Sequence, residues 1–275
     1  MLAAKLAGIG RIVRTDHNPP ISNPSRGEKA SLWFRDRLLS KLILISEQDR
    51  RLYQEKLHRD ARKMVVIPHG IDPESFQRPD PVALRESLGI KPDETVIGNI
   101  ANLGELKGTS MFIEMARILH SSNPGLRFLI VGGGEGLERF RARAAEAGLG
   151  DRIIFTGHVP KASVPDYFAL LDVFVLASLV ESGPYTLLEA MASGLPLVAT
   201  KVGFVSQVVQ PELTGLVVAP GDPAALAAGV TRLLTDTIAA ERMGREARKS
   251  IAEHYSTDTM VDRIAQVYES VGVVA

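Results

Sequence analysis

From residue 95 to residue 235, short β-forming runs alternate with longer segments of helical periodicity, and this alternation constrains the fold more than any other feature. The predicted strands are 95–101, 127–131, 153–156, 172–177, 196–200 and 216–218. They are continuous apolar runs, as expected of strands that are covered on both faces. The predicted helices are 109–120, 135–147, 163–171, 184–193 and 222–235. Such alternation predicts a doubly wound parallel sheet, which binds ligands at the carboxyl ends of its strands.

The first 72 residues carry a shorter version of the same pattern. The predicted strands are 11–14, 42–45 and 64–67, and the helices are 28–40 and 46–59. The segment 68–81 is rich in Pro, Gly and Asp and reads as an interdomain connection. Two helices close the chain, at 237–253 and 257–271, with Ser256 as the N-cap of the last. We therefore expect an α/β chain with a partial amino-terminal lobe (1–72), a doubly wound domain (73–253) and a final segment (254–275) that packs back on the first lobe.

Composition narrows the class of protein. The chain has 275 residues, 45% of them hydrophobic, and no cysteine, which allows a sizeable core, excludes disulfides and fits a cytoplasmic protein. A single tryptophan and 5% aromatic residues argue against a stacking platform for single-stranded nucleic acid. Residues 1–63 hold 14 Lys and Arg against 7 Asp and Glu, within a chain of zero net charge. This asymmetry predicts either two lobes with solvated faces or a basic lobe that meets an anionic acceptor or membrane surface.

The segment LVESGPYTLLEAMASGLPLVATK, residues 179–201, places two carboxylates in apolar surroundings. Pro184 suits the first position of a helix and Ser182 its cap, so Glu181 falls in the strand-to-helix loop and Glu189 inside the helix. A buried carboxylate without partners is costly, so Glu189 is predicted to have donors nearby, unless it is a half-exposed surface residue. Glu181 is either a helix-start carboxylate favoured by the helix dipole or a neighbour of a phosphate bound at that helix end.

These residues form a pattern that resembles the retaining glycosyltransferases of family four, which have the two-lobed GT-B fold. The signature of that family is Glu, seven residues and Glu, then a small-residue helix end and a Gly-x-Pro strand entry; here these are Glu181, Glu189 and AMASGLPLVAT. Other motifs resemble the family in the same order: VVIPHGID (65–72), ANLGELKG (101–108), RFLIVGGGEG (127–136), IIFTGHVP (153–160) and TGLVVAPGDPAALA (214–227). The resemblance covers roughly residues 11–270.

The resemblance implies transfer of a sugar from a UDP- or GDP-sugar to a hydroxyl of a saccharide, lipid-linked or small-molecule acceptor, with retained configuration and without a metal or other cofactor. By position, Glu189 would hold the donor ribose and Glu181 would contact the transferred sugar. Lys107 would neutralise the diphosphate, whose charge grows in the transition state. The other donor-site residues implied are Gly183, Pro184, Tyr185 and Thr186 at the helix start, Gly157 and His158 near the base, and Asn102.

The chain departs from the family pattern in its donor loops. Asn102 stands where the family usually has Arg, five residues before Lys107, so the diphosphate would meet one fixed cation instead of two. We expect Lys201, which follows the strand 196–200 on the same sheet edge, to compensate. Gly183-Pro184 replaces the common Phe-Gly, and proline lacks the N–H that would bind phosphate.

The amino-terminal lobe also departs from the family, since about four of its strands have no counterpart in this sequence. Strand 11–14 would then present an unpaired edge, either shielded by a helix at 1–8 or used for self-association. His17, which follows this strand, is either an acceptor-side contact or a loop histidine that caps nearby backbone. The helix with Trp33 and Phe34 is either a core face or a peripheral membrane contact.

Two other functions are compatible with parts of this pattern. Without a full acceptor lobe, the chain could be a nucleotide-sugar-binding module that does not transfer. A dinucleotide oxidoreductase would need G-x-G-x-x-G after a strand, but VGGGEG is followed by Leu137 where the last glycine should stand.

Overall fold

The structure, a computed structural model, describes residues 1–17, 25–77, 80–181 and 183–272. The chain divides into two compact units, Met1–Gly70 with Tyr255–Ala275, and Ile71–His254. These divisions lie within two residues of the predicted boundaries. The architecture is α/β, with a parallel sheet in each unit.

The first unit contains a three-stranded parallel sheet in the order β1-β2-β3. The strands are β1 (Val13–Asp16), β2 (Lys41–Leu44) and β3 (Met64–Val66), and the helices are α1 (Leu2–Leu6), α2 (Arg26–Leu38), α3 (Glu47–Leu57) and α12 (Thr257–Ser270). Consecutive residues of a strand point to opposite faces, so Leu42 and Leu44 enter one core while Ile43 enters another with Val267 of α12. Ser256 caps α12 by accepting a hydrogen bond from the Thr259 N–H, as predicted.

Strand β1 differs slightly from its prediction. It begins at Val13 rather than at residue 11, and within the described residues it pairs only with β2, so it lies at an edge of the sheet. Helix α1 is shorter than the predicted 1–8 and contacts α2.

The second unit contains a six-stranded parallel sheet in the order β6-β5-β4-β7-β8-β9. The strands are β4 (Thr95–Ile100), β5 (Leu126–Val131), β6 (Ile153–Phe155), β7 (Val173–Leu176), β8 (Leu197–Thr200) and β9 (Leu216–Val218). Nearly every strand residue is buried, in agreement with the continuous apolar runs of the sequence.

The helices of the second unit also follow the sequence pattern closely. They are α4 (Val82–Ser87), α5 (Thr109–Ser122), α6 (Leu137–Glu146), α7 (Val164–Leu170), α8 (Tyr185–Ala192), α9 (Val205–Val208), α10 (Pro223–Thr235) and α11 (Thr237–His254). Helices α4 and α9 were not predicted, because six and four residues are too few to show a helical period. The predicted connection 68–81 contains a 3₁₀ turn, Pro73–Phe76, whose Phe76 is buried against Phe168 of α7.

The strand order reverses between β4 and β7. From β4 the chain proceeds outward to β5 and β6, then returns to the other side of β4 at β7. The loops that follow β4 and β7 therefore diverge from a common point at the carboxyl edge of the sheet, and ligands of doubly wound sheets bind in such crevices.

Candidate active site

The two loops at this switch point are joined by close backbone contacts. The Leu179 N–H, after β7, donates to the carbonyl of Leu106, after β4, at 2.8 Å. Gly108, the N-cap residue of α5, has a φ of +73°, and a Cβ added there would lie 1.9 Å from the carbonyl oxygen of Ala177. Only glycine fits this approach, because another residue would meet both the steric clash and the left-handed backbone conformation. The loops therefore hold their side chains in a fixed relative position.

Lys107 and Glu181 meet across these loops. The Lys107 Nζ lies 2.9 Å from both carboxylate oxygens of Glu181, and the Ser178 hydroxyl donates to Oε1 of Glu181 at 2.7 Å. The Glu181 side chain is 5% exposed and the Lys107 side chain 40% exposed, so the cation faces the opening and the anion lies beneath it. The sequence predicted both residues for the site but not that they form an ion pair.

Ser178 belongs to the site, although the sequence analysis did not single it out. It is fully buried, and its carbonyl accepts a hydrogen bond of 2.6 Å from the hydroxyl of Thr200 at the end of β8. Three neighbouring strands thus fix the Glu181 carboxylate. The available signal was the position of Ser178, three residues before Glu181 and directly beyond an apolar strand.

Helix α8 carries the second carboxylate. It begins at Tyr185, one residue later than predicted, because Pro184 has an extended ψ of 107° and occupies the N-cap position. No side chain among the described residues caps this helix; the predicted cap, Ser182, lies outside the described residues. The start of α8 carries the positive end of the helix dipole, which is favourable for an anion.

Glu189 is buried in α8 with 9% of its surface exposed. No residue in the described ranges hydrogen bonds to its carboxylate, so this part of the chain does not supply the donors that the sequence analysis expects nearby, and donation by a bound ribose stays a prediction. Burial raises the pKa of the Glu189 carboxyl to about 6, and the positive charge of Lys161 limits the rise. Lys161, an exposed residue after β6, was not singled out in the sequence. The acid is thus held in an apolar helix at a desolvation cost that, among the described residues, Lys161 offsets only in part.

The remaining predicted donor residues lie in the segments that follow the strands of the same sheet. Asn102 is exposed after β4, Lys201 is exposed directly after β8, and His158 is exposed after β6. Gly157 has a φ of +71°, and its carbonyl accepts a hydrogen bond from the Gly132 N–H of the loop after β5. Around the start of α8, Gly183 and Thr186 are half-buried, Pro184 is buried and Tyr185 is exposed.

His17 belongs to the other unit, where its ring stacks on that of His69 with centroids 5.5 Å apart and planes 4° apart. Burial lowers the pKa of His69 to about 4, and the charge of a protonated His17 lowers it further. The sequence did not predict this pairing. The acceptor-side role of His17 stays a prediction.

Comparison with known proteins settles the family. The model of the family described as glycosyl transferases group 1 matches residues 82–250, which contain both carboxylates and Lys107. The chain belongs to the glycosyl transferases group 1 family. Within the described residues, this group 1 chain has no cluster of three His, Asp or Glu side chains that could hold a metal ion, and no helix with the length and apolarity needed to cross a bilayer.

Relatives of this group 1 chain include enzymes of glycoconjugate assembly. It is 34% identical over 215 residues to the lipopolysaccharide core biosynthesis mannosyltransferase LpsB of Rhizobium meliloti, which covers 74% of this chain and 60% of that protein. It is 27% identical over 277 residues to the Escherichia coli UDP-Gal:alpha-D-GlcNAc-diphosphoundecaprenol alpha-1,3-galactosyltransferase, which covers 97% of this chain and 71% of that protein. The chain thus spans 60% to 71% of the length of these two relatives.

Solved structures of the same fold include Anabaena Alr3699/HepE in complex with UDP. It superposes with a TM-score of 0.89 and 22% identity, covering 98% of this chain and 74% of that one. The likeness establishes the GT-B-like α/β fold of the group 1 chain.

Proposed function

We propose that this chain transfers a sugar from a nucleoside-diphosphate sugar to an acceptor hydroxyl with retention of the anomeric configuration. The observation that carries the proposal is Glu189, a buried carboxylate with no hydrogen-bond donor among the described residues. It lies in the same short helix whose start follows Glu181 and carries the positive end of the helix dipole. A nucleoside-diphosphate sugar would suit both features, since its ribose hydroxyls donate hydrogen bonds to a carboxylate and its diphosphate is an anion that a helix start attracts.

Each residue then has a distinct role in the proposed reaction. Glu189 accepts hydrogen bonds from two ribose hydroxyls, and the start of α8 binds the diphosphate. Lys107 neutralises the charge that develops on the leaving diphosphate, which lowers the barrier directly. Glu181, held by Lys107 and Ser178, faces the transferred sugar.

We further propose that this charge neutralisation requires no metal ion, because Lys107 and the helix start supply it. Donor binding is then unchanged when the protein is dialysed against EDTA and assayed without divalent ions. A loss of binding that Mg²⁺ or Mn²⁺ restores would contradict this part of the proposal.

The relatives support a nucleotide-linked donor. Alr3699/HepE has been solved with UDP and with UDP-glucose, and the named donor of the E. coli relative is UDP-galactose. UDP and GDP both remain candidates for the nucleotide. The acceptor is a saccharide, a lipid-linked sugar or a small molecule, and His17 is its proposed contact.

Self-association through the edge of β1 is a separate proposal. The edge strand has unpaired backbone groups in the described residues, and such edges pair readily with other chains. Light scattering of the protein and of a variant with Val13 replaced by Pro tests it, because proline removes a backbone donor from the edge. A dimer that persists unchanged in the variant, or a monomer in the parent, would exclude this route.

A thermal-shift panel of UDP-, GDP- and ADP-sugars tests donor binding. A donor at 100 times its dissociation constant should stabilise the protein by roughly 2.7 kcal/mol. The shift should disappear in Glu189→Gln and persist in Glu146→Gln, which removes an exposed carboxylate from α6. Equal shifts in both variants would contradict the role of Glu189.

The stereochemistry is tested with the donor that binds. Proton NMR of the sugar released by slow donor hydrolysis, recorded before mutarotation, should show the anomer of the donor first. Initial release of the opposite anomer would exclude retention. Tight donor binding with neither hydrolysis nor transfer to any acceptor would instead indicate a binding module.

A further inference from the structure

The first unit contains a cavity of about 720 Å³ between α2 and the end of α3. This volume is within the range of about 300–1,000 Å³ that is usual for small-molecule sites. Its apolar walls include Leu32, Trp33, Leu39, Leu42, Leu57 and Met64. None of the residues assigned above to sugar transfer lines it.

Arg59 lines this cavity, and two of the nitrogens of its guanidinium lack a hydrogen-bond partner in the described residues. Its side chain is 5% exposed, yet Nε and Nη1 have no hydrogen-bond partner in the described part of the chain. The Asp36 carboxylate lies 2.6 Å from Nε but outside hydrogen-bond alignment, and the ring of Tyr53 covers the guanidinium at 4.5 Å. Because buried donors are nearly always satisfied, a guanidinium in this state indicates a missing acceptor.

The local sequence explains how Arg59 reaches the cavity. Helix α3 ends at Leu57, and the next residue, His58, turns the chain with a left-handed φ of 49°. The Arg59 N–H then donates to the carbonyl of Tyr53 at 3.2 Å. On the opposite side, the Lys63 ammonium donates to the carbonyls of Asp36 and Leu39 at the end of α2, at 3.0 and 2.8 Å. Both cations are therefore held in place by the backbone around them.

The charge of the lining is positive. Its cations are Arg37, Lys56, Arg59 and Lys63, and its acids are Asp36 and Asp60. Asp60 is already engaged by Arg62, which does not line the cavity, with contacts of 2.9 and 3.0 Å. Arg37 lies over the ring of Trp33 at 4.4 Å, so the opening combines an aromatic surface with a cation.

We propose that this cavity binds an anionic amphiphile, an alkyl or acyl chain that ends in a phosphate. The apolar walls would take the chain, and Arg59 and the neighbouring cations would take the head group. Guanidinium groups suit this role because their planar fork matches phosphate oxygens and is more weakly hydrated than an ammonium. The site is separate from the donor site, so its occupation does not depend on the proposed sugar transfer.

The chain provides its own probe, because Trp33 is its single tryptophan and lines the cavity. Dodecyl phosphate, titrated below its micelle-forming concentration, should give a saturable change in Trp33 emission. Dodecyl maltoside, with the same chain and a neutral head, and inorganic phosphate, with the head alone, should each bind at least tenfold more weakly. Equal binding of dodecyl maltoside, or no saturable change with dodecyl phosphate, would overturn the proposal.

Variants distinguish binding inside the cavity from non-specific attraction to the positive charge of the surface. Ala30→Phe fills the cavity from an exposed helix position and should weaken dodecyl phosphate binding at least tenfold. Lys56→Met should weaken it several-fold, whereas Arg51→Met, which removes the same charge from an exposed position of α3 outside the lining, should not. Thermal unfolding of each variant checks that the fold is kept. Equal losses in Lys56→Met and Arg51→Met would indicate non-specific attraction and contradict the site.

The same emission measurement distinguishes the cavity from a membrane-facing surface. If vesicles of anionic phospholipid shift Trp33 emission but monomeric dodecyl phosphate does not, Trp33 contacts a membrane surface and the cavity does not bind the amphiphile. That result would overturn the proposal. A response to the monomer that Ala30→Phe abolishes would support it.

Discussion

The Lys107 ammonium lies 2.9 Å from each carboxylate oxygen of Glu181, although 74 positions separate the two residues in the chain. The pair connects the loops on either side of the switch point. Under the proposed function, the diphosphate of the donor would meet a cation that already has an anionic partner, so donor binding would have to compete with this ion pair.

Replacing Lys107 should weaken donor binding more than replacing an ordinary surface lysine. We expect Lys107→Met to cost about 1.5–3 kcal/mol of donor binding free energy, the usual range for a hydrogen bond to a charged group. Lys91→Met is the matched control, since Lys91 is an exposed lysine that precedes β4 at the opposite edge of the sheet. Isothermal titration calorimetry measures both, and similar losses in the two variants would argue against a diphosphate at Lys107.

Restoring the family's second cation should strengthen donor binding. Asn102→Arg places a charge in the exposed position after β4, where a screened ion pair is worth up to about 1 kcal/mol. If Lys201 compensates for Asn102, Lys201→Met should cost less affinity in the Asn102→Arg background than in the parent. A double-mutant cycle on donor affinity measures this coupling, and strictly additive effects would show that Lys201 does not compensate.

Glu189 should make the stability of the protein depend on pH. Its folded-state pKa of about 6 exceeds the ordinary value of 4.5. Its favourable contribution to the free energy of unfolding is therefore complete below pH 4.5 and is lost as the pH rises through 6. At pH 8 the ionised Glu189 carboxylate therefore lowers the free energy of unfolding by up to about 2 kcal/mol, relative to the protonated form. Glu189→Gln should raise the free energy of unfolding at pH 8 by up to that amount, with a smaller gain at pH 4.5.

Urea unfolding at the two pH values measures this effect, with Glu146→Gln as the control for loss of an exposed carboxylate. A Glu189→Gln variant that is less stable than the parent at pH 8 would mean that the carboxylate has a partner that stabilises its charge.

Donor affinity should have the opposite dependence on pH. Ribose hydroxyls donate to the ionised form of Glu189, so affinity should be highest above pH 6 and fall as the acid is protonated below it. In Glu189→Gln this dependence should disappear together with most of the affinity. Calorimetric titrations between pH 5 and pH 8 would measure it, and a flat profile in the parent protein would exclude Glu189 as the ribose contact.

Gly108 should be far more sensitive to substitution than a glycine of the same backbone conformation elsewhere. Gly148 has a φ of +74° with no atom within 4 Å of an added Cβ. Gly148→Ala should therefore lower the free energy of unfolding by about 1–2 kcal/mol, the cost of the left-handed conformation alone. Gly108→Ala, at +73°, adds a clash with the Ala177 carbonyl and should cost roughly 3 kcal/mol or more. Chemical denaturation compares the two, and equal costs would show that the loops can separate.

Much of the fold was predictable because its determinants are local. The continuous apolar runs identified all six strands of the second unit to within one residue at each end. Burial on both sheet faces imposes that pattern on the sequence directly. Helix α8 was placed to within one residue by the Pro184 and Gly194 signals, whereas the short helices α4 and α9 carried no such signal.

For the site, the sequence alone determined which residues are available: two carboxylates eight positions apart, one in a loop and one in an apolar helix, and a lysine in the loop after an earlier strand. Only the tertiary structure decided that Lys107 and Glu181 are paired, that Glu189 is left without a partner in the described residues, and that Arg59 lines a cavity. The physical reason is the range of the interactions. Strand, helix and turn preferences depend on near neighbours, while ion pairing and desolvation depend on which distant segments the strand order brings together.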